Sequence, residues 1–467
     1  MRIVVCVRQG LDGEISPFDA SAYEAALRFE GAEITLLSMA PPSAREFLER
    51  LSRLGAKHAV LLCDNAFAGA DTLATAYALS CALRRLSPDL VLCGRQTLIG
   101  DTAQTGAMLS QLAGLSLATN VMEIGEVNGH EICCRTRSEG EVSCALPALF
   151  CIERIHVLRF PRLRSKPCEV EILSAADIGA DVGRCGLAGS PTRVVESFEN
   201  RSGKRECSFI LPDDLTDVMQ KAMQRGEKKA EALAKSNQRL DRVCIVGNGP
   251  RDFAEAVSDN VIEISLSDVD EITAQIEEIA PSAVLWGCDA VSKRLAALVA
   301  AKLSLGLCAD CTALSCEDGV LMMYRPALSG SVIAKVKSLT VPAMATVRTE
   351  QAAKNDIIIA AGYGVKDELN AVKALADSLG ARLCASRRLV DNGYARYEMQ
   401  VGLTGSTVSP SLYIAIGISG AVHHIVGMQR SGTVIAVNPD RDAPIFEYAD
   451  YGIVADFAAI RDQFLKS

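Results

Sequence analysis

Short apolar runs alternate with amphipathic stretches along the chain. The runs IVVCV, ITLLSM, AVLLC and LVLCG have the length and composition of buried strands. Between them lie helical stretches such as SAYEAALRF and Thr72 to Leu86, whose apolar face is formed by Leu73, Ala76, Leu79 and Leu83. Strands and helices that alternate in this way predict an α/β fold with a largely parallel sheet.

Two segments repeat the same order of signals at a spacing of roughly 190 residues. SPDLVLCGRQ and APSAVLWGCD each place a proline before a strand that ends at a glycine. Each is followed by a leucine-rich helix, an Asn-Gly or Asp-Gly turn and a proline-centred strand. The repeat predicts two related α/β domains of the nucleotide-binding type, at residues 1–190 and 241–350, and a non-repeated Rossmann-like domain at 351–467.

Residues 191–240 break this alternation. They contain no strong strand pattern, and from Asp213 to Leu240 they form a charged helical stretch with a thin apolar stripe. Such a segment is typical of a linker, or of an arm that lies across another domain.

Composition narrows the class of protein. The 48 basic and 57 acidic residues are spread without long runs, which argues against nucleic acid as a partner. No apolar run approaches the roughly 20 residues of a membrane span, and the chain begins with a strand pattern rather than a signal peptide. The 17 cysteines lie mostly within apolar runs, as reduced thiols do. We therefore expect a cytoplasmic protein without membrane insertion.

One cysteine pair has two readings. Cys308 and Cys311 form a C-x-x-C with Cys316 nearby, and such a pair can bind metal or cycle as a disulfide. A structural zinc or iron–sulfur site needs a fourth ligand at short spacing, and the sequence has no second pair there. We predict no metal site, and the redox role stays open.

The C-terminal third of the chain has several turns rich in small residues. Asp356 to Gly364 reads as a strand that enters a Gly-x-Gly turn, but Asp367 stands where an NAD-type fingerprint needs a third glycine. QVGLTGSTVSP and ISGAVHH add two further turns. Backbone N–H groups in such turns suit a phosphate or an anionic ring edge, although ordinary strand–helix loops have the same composition.

These residues resemble a known family. SRRLVDNGY, MQVGLTGSTVSPSLYIAIGISGAVHHIVGM and VIAVNPDRDAPIFEYADYGIVAD are similar to the FAD domain of the electron transfer flavoprotein α subunit, over nearly all of residues 355–467. The N-terminal block resembles the β subunit through SPFDASAYEAA, FAGADTLATAYAL, GRQTLIGDTAQTG and GLAGSPTRVV. The resemblance implies a β-like half fused to an α-like half whose own N-terminal domain, residues 241–350, is shortened.

The resemblance also implies an FAD site in the C-terminal domain. The positions that match the family's cofactor contacts are Ser386, Arg387, Gln400, Val401, Thr404, Gly405, Ser419, Gly420, Ala421, Val422, His423, His424, Asn438 and Asp456. Arg387 would favour an anionic reduced flavin, Thr404 would face the flavin N5 region, and His424 would donate to the C2 carbonyl. His423 is expected on the helix surface. Leu403 and Tyr363 depart from the family's glutamine and arginine, which would remove a polar group near the ring and a phosphate contact.

A second nucleotide site is implied in the β-like half. The matching positions are Cys6, Ser16, Phe18, Asp19, Asp71, Thr72, Thr75, Gly100, Asp101, Thr102, Gln104, Thr105 and Gly106. In the family this site holds AMP or, in electron-bifurcating members, a second FAD that takes hydride from NADH. FAGADTLATAYAL favours FAD, whereas the short segment between Gln9 and Ser16, where we expect the usual hairpin to be absent, favours AMP.

The function implied is that of an electron carrier rather than a classical enzyme. The protein would accept electrons on FAD from a dehydrogenase, of the acyl-CoA dehydrogenase type or similar, and pass them to an acceptor, with NADH as a further partner in the bifurcating case. Leu163 in RFPRLRS matches the family's docking leucine, or is an incidental leucine in a solvated turn. The alternative function is a nucleotide-binding regulatory or scaffold module without redox activity, for which the groups aimed at a flavin would have no use.

Overall fold

The computed structural model describes residues 1–10, 13–97, 100, 102–199, 204–225, 238–327, 332–348, 357–402, 405–406 and 408–464. The chain forms two compact units. The first comprises Met1–Ser197, Lys235–Leu328 and Ala334–Val347, and the second comprises Phe198–Ala234, Ser329–Ile333 and Arg348–Ser467. The domain boundaries predicted at residues 190, 240 and 350 stay a prediction.

The strands, in chain order, are β1 (Arg2–Cys6), β2 (Glu33–Met39), β3 (His58–Leu62), β4 (Leu90–Gly94), β5 (Ser116–Asn128), β6 (Glu131–Thr136), β7 (Gly140–Ala145), β8 (Ala148–Ile152), β9 (Val170–Leu173), β10 (Thr192–Glu199), β11 (Ser208–Phe209), β12 (Val243–Val246), β13 (Val261–Ile264), β14 (Ala283–Trp286), β15 (Leu307–Cys311), β16 (Ala313–Glu317), β17 (Val320–Ala327), β18 (Val332–Ser338), β19 (Ala343–Val347), β20 (Ile357–Ala361), β21 (Arg382–Ala385), β22 (Leu412–Ile416), β23 (Thr433–Val437) and β24 (Tyr451–Ile453). The α-helices are α1 (Pro17–Ala26), α2 (Ala44–Ser52), α3 (Thr72–Leu86), α4 (Thr105–Ala113), α5 (Leu215–Arg225), α6 (Arg251–Val257), α7 (Val269–Ile279), α8 (Ala290–Leu303), α9 (Leu369–Ser378), α10 (Arg387–Asp391), α11 (Val422–Met428) and α12 (Phe457–Phe464).

The first predicted elements are confirmed. The four apolar runs form β1 to β4, and the amphipathic stretch forms α3 with the predicted bounds. This helix begins at Thr72 because the Asp71 carboxylate accepts hydrogen bonds from the N–H groups of Leu73 and Ala74. It ends at Ser87, whose φ of 46° takes the chain out of the helix before the next strand.

Two sheets of the first unit share an order of five strands. The larger sheet runs β7-β6-β5-β8-β4-β1-β2-β3-β9 and the smaller runs β13-β12-β14-β19-β15. Read from the other edge, β15-β19-β14-β12-β13 repeats β5-β8-β4-β1-β2, with parallel pairing throughout. Within the part of the chain that the structure describes, the smaller sheet has no counterpart of β3 or β9. The repeat seen in the sequence is therefore a repeat of sheet topology.

The repeats share a buried apolar cluster. Leu79 of α3, Met108 of α4 and Ala297 of α8 belong to this cluster, together with Val91 of β4 and Trp286 of β14. Helices from both repeats contribute to one cluster because each sheet exposes an apolar face that must be covered.

The prediction that residues 191–240 contain no strand was wrong. Thr192–Glu199 forms β10 at the edge of a four-stranded sheet of order β10-β18-β17-β16, and Ser208–Phe209 forms β11. Both faces of β10 are largely exposed, so its sequence lacks the alternation that marks a half-buried strand. The predicted helix is confirmed as α5 over Leu215–Arg225; residues 226–237 lie outside the described residues, and 238–240 are not helical.

The second unit is built on a six-stranded parallel sheet of order β11-β24-β23-β22-β20-β21. The chain leaves β20 toward β21 on one side and then returns to β22 on the other. This reversal produces a crevice at the carboxyl ends of β20 and β22, where open α/β sheets bind ligands.

Part of the segment predicted to be a linker packs on this sheet. The Arg205 side chain donates to the carbonyl oxygens of Gly432, at 2.9 Å, and Ser431, and it pairs with the Asp450 carboxylate. Leu215 and Met219 of α5 lie in the same buried cluster as strands β20 and β22. Residues 204–225 thus pack as an arm on the C-terminal sheet. The sequence analysis left a linker and an arm as alternatives for residues 191–240.

Candidate functional site

Two glycine turns meet at the crevice of the second unit. The Gly362 N–H donates to the Ile416 carbonyl at 2.7 Å, and the Gly364 N–H donates to the Gly417 carbonyl at 3.2 Å. A Cβ at Gly362 would collide with the Gly417 carbonyl oxygen, and Gly417 itself has a φ of 64°. Only glycine allows the backbones to approach so closely, so these turns define the floor of a ligand crevice.

One side of the crevice is formed by the end of β21 and by Gln400–Gly402, called here the QVG segment. The Val401 N–H donates to the Ala385 carbonyl at 3.0 Å, which extends the sheet beside Ser386. The segment then closes into a turn, because the Ser406 N–H donates to the Gln400 carbonyl at 2.8 Å. Leu403 and Thr404, which the sequence analysis placed near the flavin, lie outside the described residues.

The same segment packs on α11. A Cβ at Gly427 would collide with the backbone of Gly402, and the Val408 N–H donates to the Gly427 carbonyl at 2.8 Å. The structure therefore brings together parts of three predicted contact segments, which are Ser386–Arg387, 400–402 and 419–424. Their role as FAD contacts stays a prediction.

Two polar atoms in this region are buried and make no well-aligned hydrogen bond within the described residues. They are the Ser386 hydroxyl oxygen and Nδ1 of His424. A buried polar atom without a well-aligned hydrogen bond costs free energy, so both atoms are candidates for contact with a ligand. Arg387, in contrast, pairs with Asp391 one helical turn away, with 3.1 Å between Nε and the carboxylate.

The His424 side chain is buried rather than exposed at the surface of the second unit. It is 6% exposed, and its Nε2 lies 2.9 Å from the hydroxyl of Tyr413, which is fully buried on β22. Burial lowers the pKa of His424 from 6.5 to about 4, and a contact with the Val401 backbone opposes the shift only in part. The imidazole is therefore neutral at pH 7. The sequence analysis expected His423 on the helix surface, whereas in the structure it is half-buried.

Other predicted contacts hold the loops in place. The Asn438 amide donates to the Ile418 carbonyl and accepts from the Asp440 N–H, both at 2.9 Å. The exposed Asp456 accepts from the Ala458 N–H at the start of α12, at 3.2 Å. Ser419, Ala421 and Val422 are exposed and Gly420 is buried. Asn438 thus fixes the loop that follows β22.

One arrangement at the rim was missed by the sequence analysis. The Arg388 guanidinium carbon lies 4.2 Å from the centroid of the Tyr363 ring, and Tyr394 packs edge-on against the same ring. A cation therefore lies at the turn where Tyr363 replaces the family's arginine. The two positions are 25 residues apart in the sequence, so only the fold could show the contact.

The first unit has a comparable switch point between β1 and β4. The Asp19 carboxylate accepts from the Arg8 N–H at 2.9 Å and from the Gly94 N–H at 3.2 Å, which ties the two strand ends together. Burial raises the pKa of Asp19 to about 7 although these hydrogen bonds oppose the shift. The Arg95 guanidinium lies over the Phe18 ring beside it, at 5.3 Å.

Two side chains at this switch point have unmet hydrogen-bonding capacity. Both amide atoms of Gln104, which is 1% exposed, and the hydroxyl of Ser16 are buried without a hydrogen-bond partner in the described residues. Thr72 and Thr102 lie beside each other, with 3.5 Å between their hydroxyl oxygens, so two separate predicted segments meet here. Asp101 lies outside the described residues. The region fits a polar ligand, as Gln104 alone would need several partners.

The role of the remaining predicted residues of this site as nucleotide contacts stays a prediction, and the structure shows where they lie. Asp71 caps α3, and its second carboxylate oxygen accepts from the Thr192 backbone and hydroxyl at 3.0 and 2.7 Å. Thr75 and Thr105 lie in the first turns of α3 and α4, and Gly106 packs against two cysteine sulfurs. Gly100 is half-buried.

Cys6 belongs to a row of thiols. It lies in register with Cys93 and Cys151 across β1, β4 and β8, and the Cys93 and Cys151 sulfurs are 3.8 Å apart. Burial raises the pKa of Cys6 to about 12, so its thiol is protonated.

The prediction that the hairpin after β1 is absent was wrong. Gln9 and Ile15 form an antiparallel bridge, and the Gly10 N–H donates to the Glu14 carbonyl at 2.7 Å. The hairpin is short rather than missing. Residues 11 and 12 at its tip lie outside the described residues.

Leu163 projects from a loop with no regular secondary structure and is 96% exposed, while Phe160 is 94% exposed. Arg159 of the same loop is fixed by the buried Glu24 carboxylate, at 2.7 Å. The loop is thus anchored at its start and presents two apolar side chains to solvent.

Cys308 and Cys311 are both buried on β15 and carry free thiols. The Cys311 sulfur lies 3.7 Å from the Cys308 carbonyl oxygen. Among the described residues, no three His, Cys, Asp or Glu side chains are grouped as a metal site. In the same residues, no helix has the length and apolar character needed to cross a membrane.

Parallel α/β sheets whose strand order reverses at a switch point are typical of nucleotide-binding folds. Comparison with known families narrows this class. The electron transfer flavoprotein domain matches residues 3–178 and 256–374, which is more than half of the chain, and the electron transfer flavoprotein FAD-binding domain matches residues 351–429. The chain belongs to the electron transfer flavoprotein family.

Individual relatives match parts of the chain. It is 38% identical over 231 residues to the electron transfer flavoprotein subunit alpha of Thermoanaerobacterium thermosaccharolyticum, over 40% of this chain and 70% of the relative. It is 42% identical over 223 residues to Protein FixA of Azorhizobium caulinodans, over 44% of this chain and 79% of the relative. It is 34% identical over 254 residues to Protein FixB of Bradyrhizobium diazoefficiens, over 44% and 69%.

Proposed function

We propose that this protein is a single-chain electron carrier in which a β-like half is fused to a shortened α-like half. It would accept electrons on FAD from a dehydrogenase and pass them to an acceptor. The observation that carries the proposal is the coincidence of the FAD-binding domain match with the glycine-floored crevice of the second unit. The shared strand order of the two repeats supports the fusion, since one family domain matches both.

The residues around the crevice fit a flavin nucleotide. Backbone N–H groups of the small-residue turns suit its phosphates, and the Ser386 hydroxyl and Nδ1 of His424 are buried polar atoms that make no well-aligned hydrogen bond within the described residues. Bound FAD would supply a ring that takes up a pair of electrons and can release them one at a time. Arg387 would add positive charge beside this ring, partly balanced by Asp391.

The second site is proposed to hold a nucleotide, either FAD or AMP. Gln104 and Ser16 support a polar ligand, because they are buried and have no partners in the described residues. Neither residue separates the two nucleotides. The short hairpin between Gln9 and Ile15 supplies the segment after β1 whose absence would have argued against a second flavin.

Cofactor content tests the proposal. The purified protein should be yellow, and extraction should give at least one FAD per chain. Two FAD with bleaching by NADH under anaerobic conditions would identify a bifurcating protein. One FAD with one AMP and no response to NADH would identify a single-flavin carrier.

The same experiment can refute the electron-carrier proposal. A colourless protein that cannot be reconstituted with FAD would exclude electron transfer and leave the nucleotide-binding scaffold. Gln104→Leu supplies an internal comparison, because it should remove the nucleotide of the first unit and leave FAD in the second.

A further inference from the structure

The second unit contains a buried tyrosine–histidine pair beside the predicted flavin-binding segment. Tyr413 lies on β22, at the centre of the parallel sheet, and is 0% exposed. Its hydroxyl oxygen lies 2.9 Å from Nε2 of His424 on α11. Both side chains are held by the packing of α11 on the sheet, since Tyr413 of β22 lies in one buried cluster with Ile425 and Met428 of α11.

The pair contains a single hydrogen bond whose direction follows from the available protons. Burial raises the pKa of Tyr413 well above its usual value of 10, so the side chain is a phenol with one proton to donate. Burial lowers the pKa of His424 to about 4, so the imidazole also has one proton. Either Tyr413 donates to Nε2, or Nε2–H donates to the tyrosine oxygen.

Only one direction leaves the phenol proton paired. Among the described residues the Tyr413 hydroxyl has no hydrogen-bond partner other than His424. If Nε2 carried the imidazole proton, the phenol proton would be buried without an acceptor, which is unfavourable. If the tyrosine donates, both its proton and Nε2 are satisfied, and the imidazole proton lies on Nδ1.

Nδ1 then becomes the group that a ligand would meet. It is buried and makes no well-aligned hydrogen bond within the described residues; besides Tyr413, the imidazole has a polar contact with the Val401 backbone of the QVG segment. His424 also adjoins the QVG segment, because a Cβ at Gly402 would lie 3.4 Å from the His424 Cα. A donor held beside this segment suits the carbonyl edge of a ring whose negative charge increases on reduction.

We propose that Tyr413 is a positioning residue, which donates to Nε2 of His424 and thereby fixes Nδ1–H as the hydrogen-bond donor to the cofactor. The assignment of the tautomer needs only the protein, whereas its effect on the cofactor rests on the proposed function. Tyr413 acts through His424 and does not itself touch the ligand.

Nitrogen NMR of histidine-labelled protein tests the tautomer directly. The chain has five histidines, and the spectrum of a His424→Gln variant identifies the His424 signals. We expect two-bond correlations of the Nδ1-protonated form in the unsubstituted protein, and a shift toward the Nε2-protonated form in Tyr413→Phe. Tyr23→Phe is the matched control, since Tyr23 is buried and hydrogen-bonded in the first unit, and it should leave His424 unchanged.

The midpoint potential of bound FAD tests the second part of the proposal, which is the effect of the His424 tautomer on the cofactor. We expect Tyr413→Phe to lower the potential, because the donor to the reduced ring is no longer fixed, while Tyr23→Phe keeps it. An Nε2-protonated His424 in the unsubstituted protein would overturn the proposal, and so would an unchanged tautomer in Tyr413→Phe. A changed tautomer with an unchanged potential would refute the positioning role while electron transfer stands. A protein that takes up no FAD would refute the proposed function, and the tautomer would still be decided without it.

Discussion

Acidification should destabilise the second unit through His424. The pKa of its imidazole is 6.5 in an unfolded chain and about 4 in the folded protein. Between these two pKa values the unfolded chain binds a proton at His424 and the folded protein does not. The free energy of unfolding therefore falls as the pH is lowered from 6.5 toward 4. At about 1.36 kcal/mol per pKa unit, this single group lowers the free energy of unfolding by about 3 kcal/mol between pH 7 and pH 4.

Hydrogen exchange measured by mass spectrometry can isolate this effect. Peptides from β22 should lose about a hundredfold in protection between pH 7 and pH 4, beyond the loss in a His424→Gln variant. The comparison between the two proteins removes the contribution of carboxylates that titrate in the same range. Peptides from β4 in the first unit are the internal control, and His58→Gln, which alters an exposed histidine of that unit, is the control variant. If His424→Gln and the unsubstituted protein lose protection equally, the buried imidazole does not set the pH dependence.

Three other predictions concern the arm, the rim of the crevice and the exposed loop. Arg205→Met should lower the free energy of unfolding of the second unit by about 2 kcal/mol, because Asp450 and several carbonyl groups lose a donor; unchanged chemical denaturation would contradict this. Arg388→Ala should weaken FAD binding and Arg388→Lys should restore part of it, since the cation over Tyr363 is lost and then replaced; equal dissociation constants in a flavin titration would exclude a role in binding. Leu163→Ala should slow electron transfer from the native donor at constant flavin content, and stopped-flow rates equal to those of the unsubstituted protein would show that this side chain does not dock.

The elements that the sequence identified are those whose stability is decided locally. The helix from Thr72 to Leu86 could be predicted because its apolar residues recur on one face. The strands β1 to β4 are continuous apolar runs because both faces of a parallel sheet are buried. The internal repeat could be read because each copy has, in the same order, a proline before a strand, a glycine at the end of that strand and a later turn containing glycine.

Elements whose stability depends on a distant partner were not recognised. Strand β10 pairs with β18, which lies well over a hundred residues later, and its exposed faces carry no periodic signal. The hairpin between Gln9 and Ile15 is held in part from outside, since the Arg50 side chain of α2 donates to the Gly13 carbonyl at 3.0 Å.

The sequence by itself determined the alternation of strands and helices, the repeat, the small-residue turns and the family, because each is recorded in residues close together along the chain. Only the tertiary structure decided what the side chains at the site can do. Tyr413 and His424 become a neutral pair because packing removes both from water, and Arg388 reaches Tyr363 because β20 and β21 are neighbours in the sheet. Protonation and charge depend on burial and on contacts across the fold, so neither could be read from the order of residues.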